Sequence, residues 1–97
     1  MPLETVPFDA APYLADEASQ LALLADALES GEAAYIASAI GTIARARGMT
    51  DVARRSGVGR AALYRALSVD GDPRLSTVMG VIKALGLKLS VCSEPAA

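Results

Sequence analysis

The 97-residue chain contains no histidine and no tryptophan, and it has a single cysteine. Without histidine it lacks the commonest general base, the usual partner of a serine or cysteine nucleophile, and a leading transition-metal ligand. One thiol closes no intrachain disulfide, so the core must hold by packing alone, and a reducing cytoplasm is the expected compartment. Aromatic residues are scarce, one Phe and three Tyr. No apolar run approaches the roughly 20 residues that cross a bilayer, so no membrane role is expected. Met1 to Asp9 carries Glu4 and Asp9 but no basic residue, unlike a signal or transit peptide. Lys and Arg are missing from all of residues 1–32.

What the chain has instead is small aliphatic bulk. Hydrophobic residues make up 53%, among them 20 Ala and 23 Val, Ile or Leu. That composition fits short, closely spaced helices around an aliphatic core, and excludes a β-sandwich, a disordered tail and a disulfide scaffold. The length suits one compact domain.

The net charge of −2 conceals strong segregation. Residues 1–32 hold Glu4, Asp9, Asp16, Glu17, Asp26, Glu29 and Glu32, a local charge of −7. Residues 33–67 hold Arg45, Arg47, Arg54, Arg55, Arg60 and Arg65 against Asp51 alone. The remainder balances. An acidic chain as a whole argues against nucleic acid, but attraction to phosphate depends on the field within a Debye length of about 8–10 Å, which the middle third supplies. The bland alternative is a pair of solvated faces.

Apolar spacing predicts five helices. The first runs from Ala15 to Glu29 with Leu14, Ala18, Leu21, Leu24, Ala25 and Leu28 as its expected core face, stopped by Ser30-Gly31. The second spans about Glu32 to Arg47 and ends at Gly48. Thr50 is the expected N-cap of a third helix over Asp51–Ser56. After Gly57-Val58-Gly59 a fourth runs from Arg60 to Leu67. A loop at Asp70–Pro73 precedes a fifth, carrying Val78, Val81, Ile82 and Leu85. Leu87, Leu89 and Val91 then alternate with polar neighbours, as in a short strand over Leu87–Cys92. Such a strand needs a partner for its backbone groups: the segment Leu3–Phe8, a second copy, or another protein. The expected organisation is an acidic segment and helix over residues 1–31, a helical core over 32–86, and a strand and tail over 87–97.

The segment from Thr50 to Leu67 carries the sharpest signal. Two short helices around a glycine turn, with small Ala53 before Gly57 and Val58 after it, form a helix-turn-helix pattern. Short helix pairs in ordinary bundles share it. On the fourth helix Arg60, Ala61, Tyr64 and Arg65 project onto one arc of roughly 140°, opposite Ala62, Leu63 and Ala66. Arginine bonds guanine O6 and N7 in bidentate fashion, and a small residue lets a helix approach the bases. These four are the candidates for base readout. Thr50, Arg54, Arg55 and Arg74 are the candidates for phosphate contact, while Arg45 and Arg47 serve either DNA or an acidic partner. Metal-ligand spacing and a phosphate-cradling glycine loop are absent, and Cys92 has no base to activate it, so no enzyme is expected.

Four stretches resemble the HigA-like addiction-module antidotes, antitoxins of the Xre group of helix-turn-helix proteins. They are Phe8–Leu14, Ile43–Met49, Gly59–Ser68 and Ala84–Leu89. The resemblance implies a small all-α, lambda-repressor-like domain that neutralises a co-encoded RelE/HigB-type toxin, represses its own operon, and works as a homodimer on double-stranded DNA. Gly59 departs from the usual Ser or Thr cap, and Asp72 stands where Asn is more common, which bears on Arg74. The acidic first third fits a basic toxin, with Asp16, Glu17, Asp26 and Glu29 as the candidate contacts. The competing reading is a stand-alone Xre repressor without a toxin. No cofactor is expected in either.

Overall fold

The structure, a computed structural model, describes residues 16–95. It contains α1 (Glu17–Ser30), α2 (Ala33–Arg47), α3 (Met49–Ser56), α4 (Arg60–Ala66) and α5 (Leu75–Ala84). The expected all-α class and helix order are therefore met. Leu14, part of the expected first helix face, lies outside the described residues.

Asp16 starts α1 by accepting hydrogen bonds from the backbone N–H of Ser19 at 3.2 Å and from its hydroxyl at 2.8 Å. Gly31, in the left-handed region at φ 69, ends it. The buried face of α1 keeps Leu24 of the expected stripe but not its other described members. Gln20, Leu24 and Ala27 are buried, whereas Leu21 and Leu28 are 44% and 42% exposed, and Ala18 and Ala25 are exposed as well. The rotation has a physical cause. Small Ala27 and Ala37 are buried where α1 meets α2, and in this orientation Gln20 accepts a hydrogen bond from Arg47 of α2. Periodicity counts leucines and overlooks that a buried alanine and a satisfied amide can define a packing face.

α2 lies at the centre, burying Ala37, Ala39, Ile40, Gly41, Ile43 and Ala44, and contacts α1, α3 and α4. Small side chains serve approach here. A Cβ added at Gly41 would lie 2.2 Å from the carbonyl oxygen of Leu67, just past α4. α3 begins earlier than expected, and Thr50 is not its cap. Gly48 (φ 108) both closes α2 and opens α3, which carries Met49 into the core and leaves Thr50 exposed in the first turn. α3 packs most extensively on α5. The largest fully buried side chains are Ile40, Ile43, Leu63, Leu67, Val81 and Ile82. Each contributes about 1.5–3 kcal/mol of burial, before the entropy of ordering is set against it.

The expected strand at Leu87–Cys92 is not seen among the described residues of the single chain, and its candidate partner Leu3–Phe8 lies outside them. Residues 85–95 after α5 contain no strand, and the described residues contain no β-ladder. No other described segment is extended beside the tail to supply the missing backbone partners. The alternation survives in packing, because Leu87 and Leu89 rest against the chain's own core while Val91 is 96% exposed. No described helix is long and apolar enough to cross a membrane.

Candidate nucleic-acid interface

The turn between α3 and α4 sets the direction of α4. Ala53, 8% exposed, leaves room at the corner, and its carbonyl accepts the Gly57 N–H at 3.0 Å. Gly57 stands at φ 77, where a side chain would be strained by about 1 kcal/mol or more. Ser56 accepts the Val58 N–H at 3.3 Å, and Val58 packs on the core. Gly59 begins α4 in an extended conformation without a side-chain cap. Leu63 then anchors the helix at 0% exposure, with Leu67 beyond it at 2%.

With Leu63 inside, the helical repeat places Arg60, Ala61, Tyr64 and Arg65 on the exposed side of α4. The Arg60 guanidinium carbon lies 5.8 Å from the centre of the Tyr64 ring, a cation–π distance between residues one helical turn apart. Neither Arg60 nor Arg65 forms an ion pair among the described residues. The arc therefore presents two cations, a phenol and a small gap at Ala61, with no carboxylate on α4 to compete for them.

The flanking cations are less uniform. Arg54 and Arg55 are exposed on α3, but both are engaged by Asp51. Arg54 bonds Asp51 Oδ1, and the Nε of Arg55 lies 3.2 Å from Oδ2. In the sequence Asp51 stands out only as the lone acid among six arginines. The spacing of three and four residues was the overlooked signal. Arg74 is exposed at the N-cap of α5. Arg47, though exposed, is engaged: its Nε donates to Gln20 Oε1 at 2.6 Å and its Nη1 to the Leu85 carbonyl at 3.0 Å, which makes it a brace between helices. Arg45 donates to the Thr42 hydroxyl at 3.3 Å.

The four acids of the first helix also divide. Asp16 is tied to Ser19, whose hydroxyl and N–H hold its carboxyl below the usual carboxylate range. Asp26 accepts from the Tyr35 hydroxyl at 2.6 Å, and that bond raises the phenol above its ordinary value. Glu17 and Glu29 are exposed. No group of three or more His, Cys, Asp or Glu able to hold a metal occurs among the described residues.

Residues 4–93 match the family described as "Probable addiction module antidote protein". A Haemophilus influenzae (strain Rd) protein, described only as uncharacterized, is 44% identical over 84 residues, 87% of either chain. No solved structure matches. With nearly the whole chain inside the match, this protein belongs to the addiction module antidote family.

Proposed function

We propose that this antidote is a HigA-like, Xre-type helix-turn-helix protein that neutralises a RelE/HigB-type toxin and represses its own operon by sequence-specific binding. In this reading α4 lies in the major groove, with Arg60, Ala61, Tyr64 and Arg65 at base edges. Thr50, Arg54, Arg55 and Arg74 face phosphates. The carrying observation is the arc on α4: two guanidinium groups without an ion pair among the described residues stand outside with Tyr64, while Leu63 is fully buried behind them. The Arg60–Tyr64 stack supports it further, because a cation resting on a ring loses less freedom when it docks on a base.

A homodimer would set two such helices about 34 Å apart on successive major grooves. Val91 and the tail beyond it are the part of the expected pairing segment still exposed to a second copy, since Leu87 and Leu89 pack on their own chain. Toxin contact falls to Glu17 and Glu29 before Asp16 and Asp26, which already hold partners.

A mobility-shift titration on the protein's own promoter fragment tests the DNA reading. Wild type binds one palindromic segment, with affinity falling steeply as salt rises. Arg60→Ala weakens specific binding by about 1–3 kcal/mol and relaxes one base position. Equal affinity for the promoter and for unrelated DNA of the same length overturns the repressor reading.

A further inference from the structure

The outward turn of the α1 leucines leaves a continuous apolar ridge. Ala18, Leu21, Ala25 and Leu28 span an arc of about 80° on the exposed side of the helix. Glu17 borders the arc on one edge and Glu29 on the other, at about 20° beyond its limits. Leu28 and Glu29 also line an open cleft of about 290 Å³, whose opposite wall is Cys92 to Pro95 of the tail. Leu21 and Leu28, two turns apart and each more than two-fifths exposed, are a poor arrangement for a helix whose only partner among the described residues is its own core.

We infer that this ridge, continued into the cleft, is the surface that grips the toxin, and that its occupant is an aliphatic strip on a basic protein. The inference rests on the antidote reading. Charge selects the occupant: α1 carries Glu17, Asp26 and Glu29 and no basic residue, and residues 1–32 contain none. A second copy would bring the same carboxylates against these and be repelled. An RNA-binding toxin must be cationic, so its surface meets the acidic rim with favourable charge while the leucines supply the dry centre. The expected acid contacts thus become the border of an apolar site, with Asp16 and Asp26 held on their own chain.

The test uses the full chain and the purified product of the open reading frame adjoining its gene, by isothermal titration. Leu21→Glu/Leu28→Glu changes exposed positions only and should leave the melting temperature close to wild type. It also adds two negative charges, so a contact driven by charge alone would tighten. The ridge instead requires affinity to fall about tenfold or more. Glu17→Gln/Glu29→Gln should chiefly slow association and flatten its salt dependence. Undiminished binding by the leucine variant overturns the ridge while leaving the antidote reading intact. Failure of wild type to bind the adjoining product overturns both. A leucine variant that changes only the protein's own oligomeric state, by sedimentation, assigns the ridge to self-association and refutes the inference.

Discussion

Arg47 of α2 and Gln20 of α1 meet across 2.6 Å, and the same guanidinium reaches the Leu85 carbonyl at 3.0 Å. One planar side chain thereby ties α1, α2 and the end of α5. Gln20 is only 2% exposed, so its amide depends on Arg47 for a partner in place of water, although the arginine itself remains exposed. The Leu85 carbonyl, at the end of α5, is one of the groups a helix cannot satisfy internally.

Removing that brace should destabilise the fold without touching the α4 arc. Arg47→Ala is expected to lower unfolding free energy by about 1.5–3 kcal/mol, the usual range for hydrogen bonds to a charged group. Arg47→Lys should restore little, because a single ammonium does not span both acceptors as a planar fork does. Urea titrations with an unchanged slope and a lower midpoint check this. A wild-type midpoint for Arg47→Ala would show that the brace contributes nothing.

Asp51 should act as an internal competitor for the α3 cations. Both Arg54 and Arg55 pair with it, so a phosphate approaching either must displace a carboxylate. Asp51→Asn is expected to tighten DNA binding and steepen its dependence on salt, as two cations become available for counterion release. Stability should change by about 1 kcal/mol or less, since these pairs are solvent-exposed. Filter-binding titrations across a salt series measure the slope; an Asn variant with weaker binding would show that Asp51 orders the arginines instead of screening them.

The five helices were legible because their stops, Ser30-Gly31, Gly48 and Gly57, are local chemistry. The outward side of α4 was legible because one long aliphatic residue, Leu63, fixes its rotation. The rotation of α1 was not, since it depends on how closely Ala27 approaches α2 and on an amide partner 27 positions away. Thr50 misled because Ser and Thr are common caps, whereas Gly48 turns the chain one residue before Met49 and draws α3 inward. The tail alternates like a strand yet has no neighbour among the described residues to complete a ladder.

Gly41 of α2 lies directly against the backbone of Leu67, just past α4. A methyl group there would lie 2.2 Å from the Leu67 backbone oxygen, and neither backbone can yield without moving α4. Gly41→Ala should therefore cost about 1–3 kcal/mol, although alanine is the better helix former. Because α4 would shift, promoter affinity should fall together with the melting temperature. Calorimetry showing the variant as stable as wild type would mean that α2 and α4 separate freely.

The cap at Asp16 gives α1 a pH dependence whose sign follows from its two bonds to Ser19. They favour the ionised carboxylate, so the folded-state pKa lies below the unfolded one. Stability from this source is present above the unfolded value and is lost as pH falls through the folded value. Asp16→Ala should therefore melt at a lower temperature than wild type near pH 7, with the gap narrowing as pH falls through the lowered folded-state value. Asp16→Asn keeps an acceptor for the Ser19 N–H but carries no titrating group, so it should retain most of the stability near neutrality and remove this part of the acid dependence. Melting curves for the three proteins over a pH series decide it: a gap between wild type and Asp16→Ala that stays constant into acid would place the stabilisation in something other than the carboxylate.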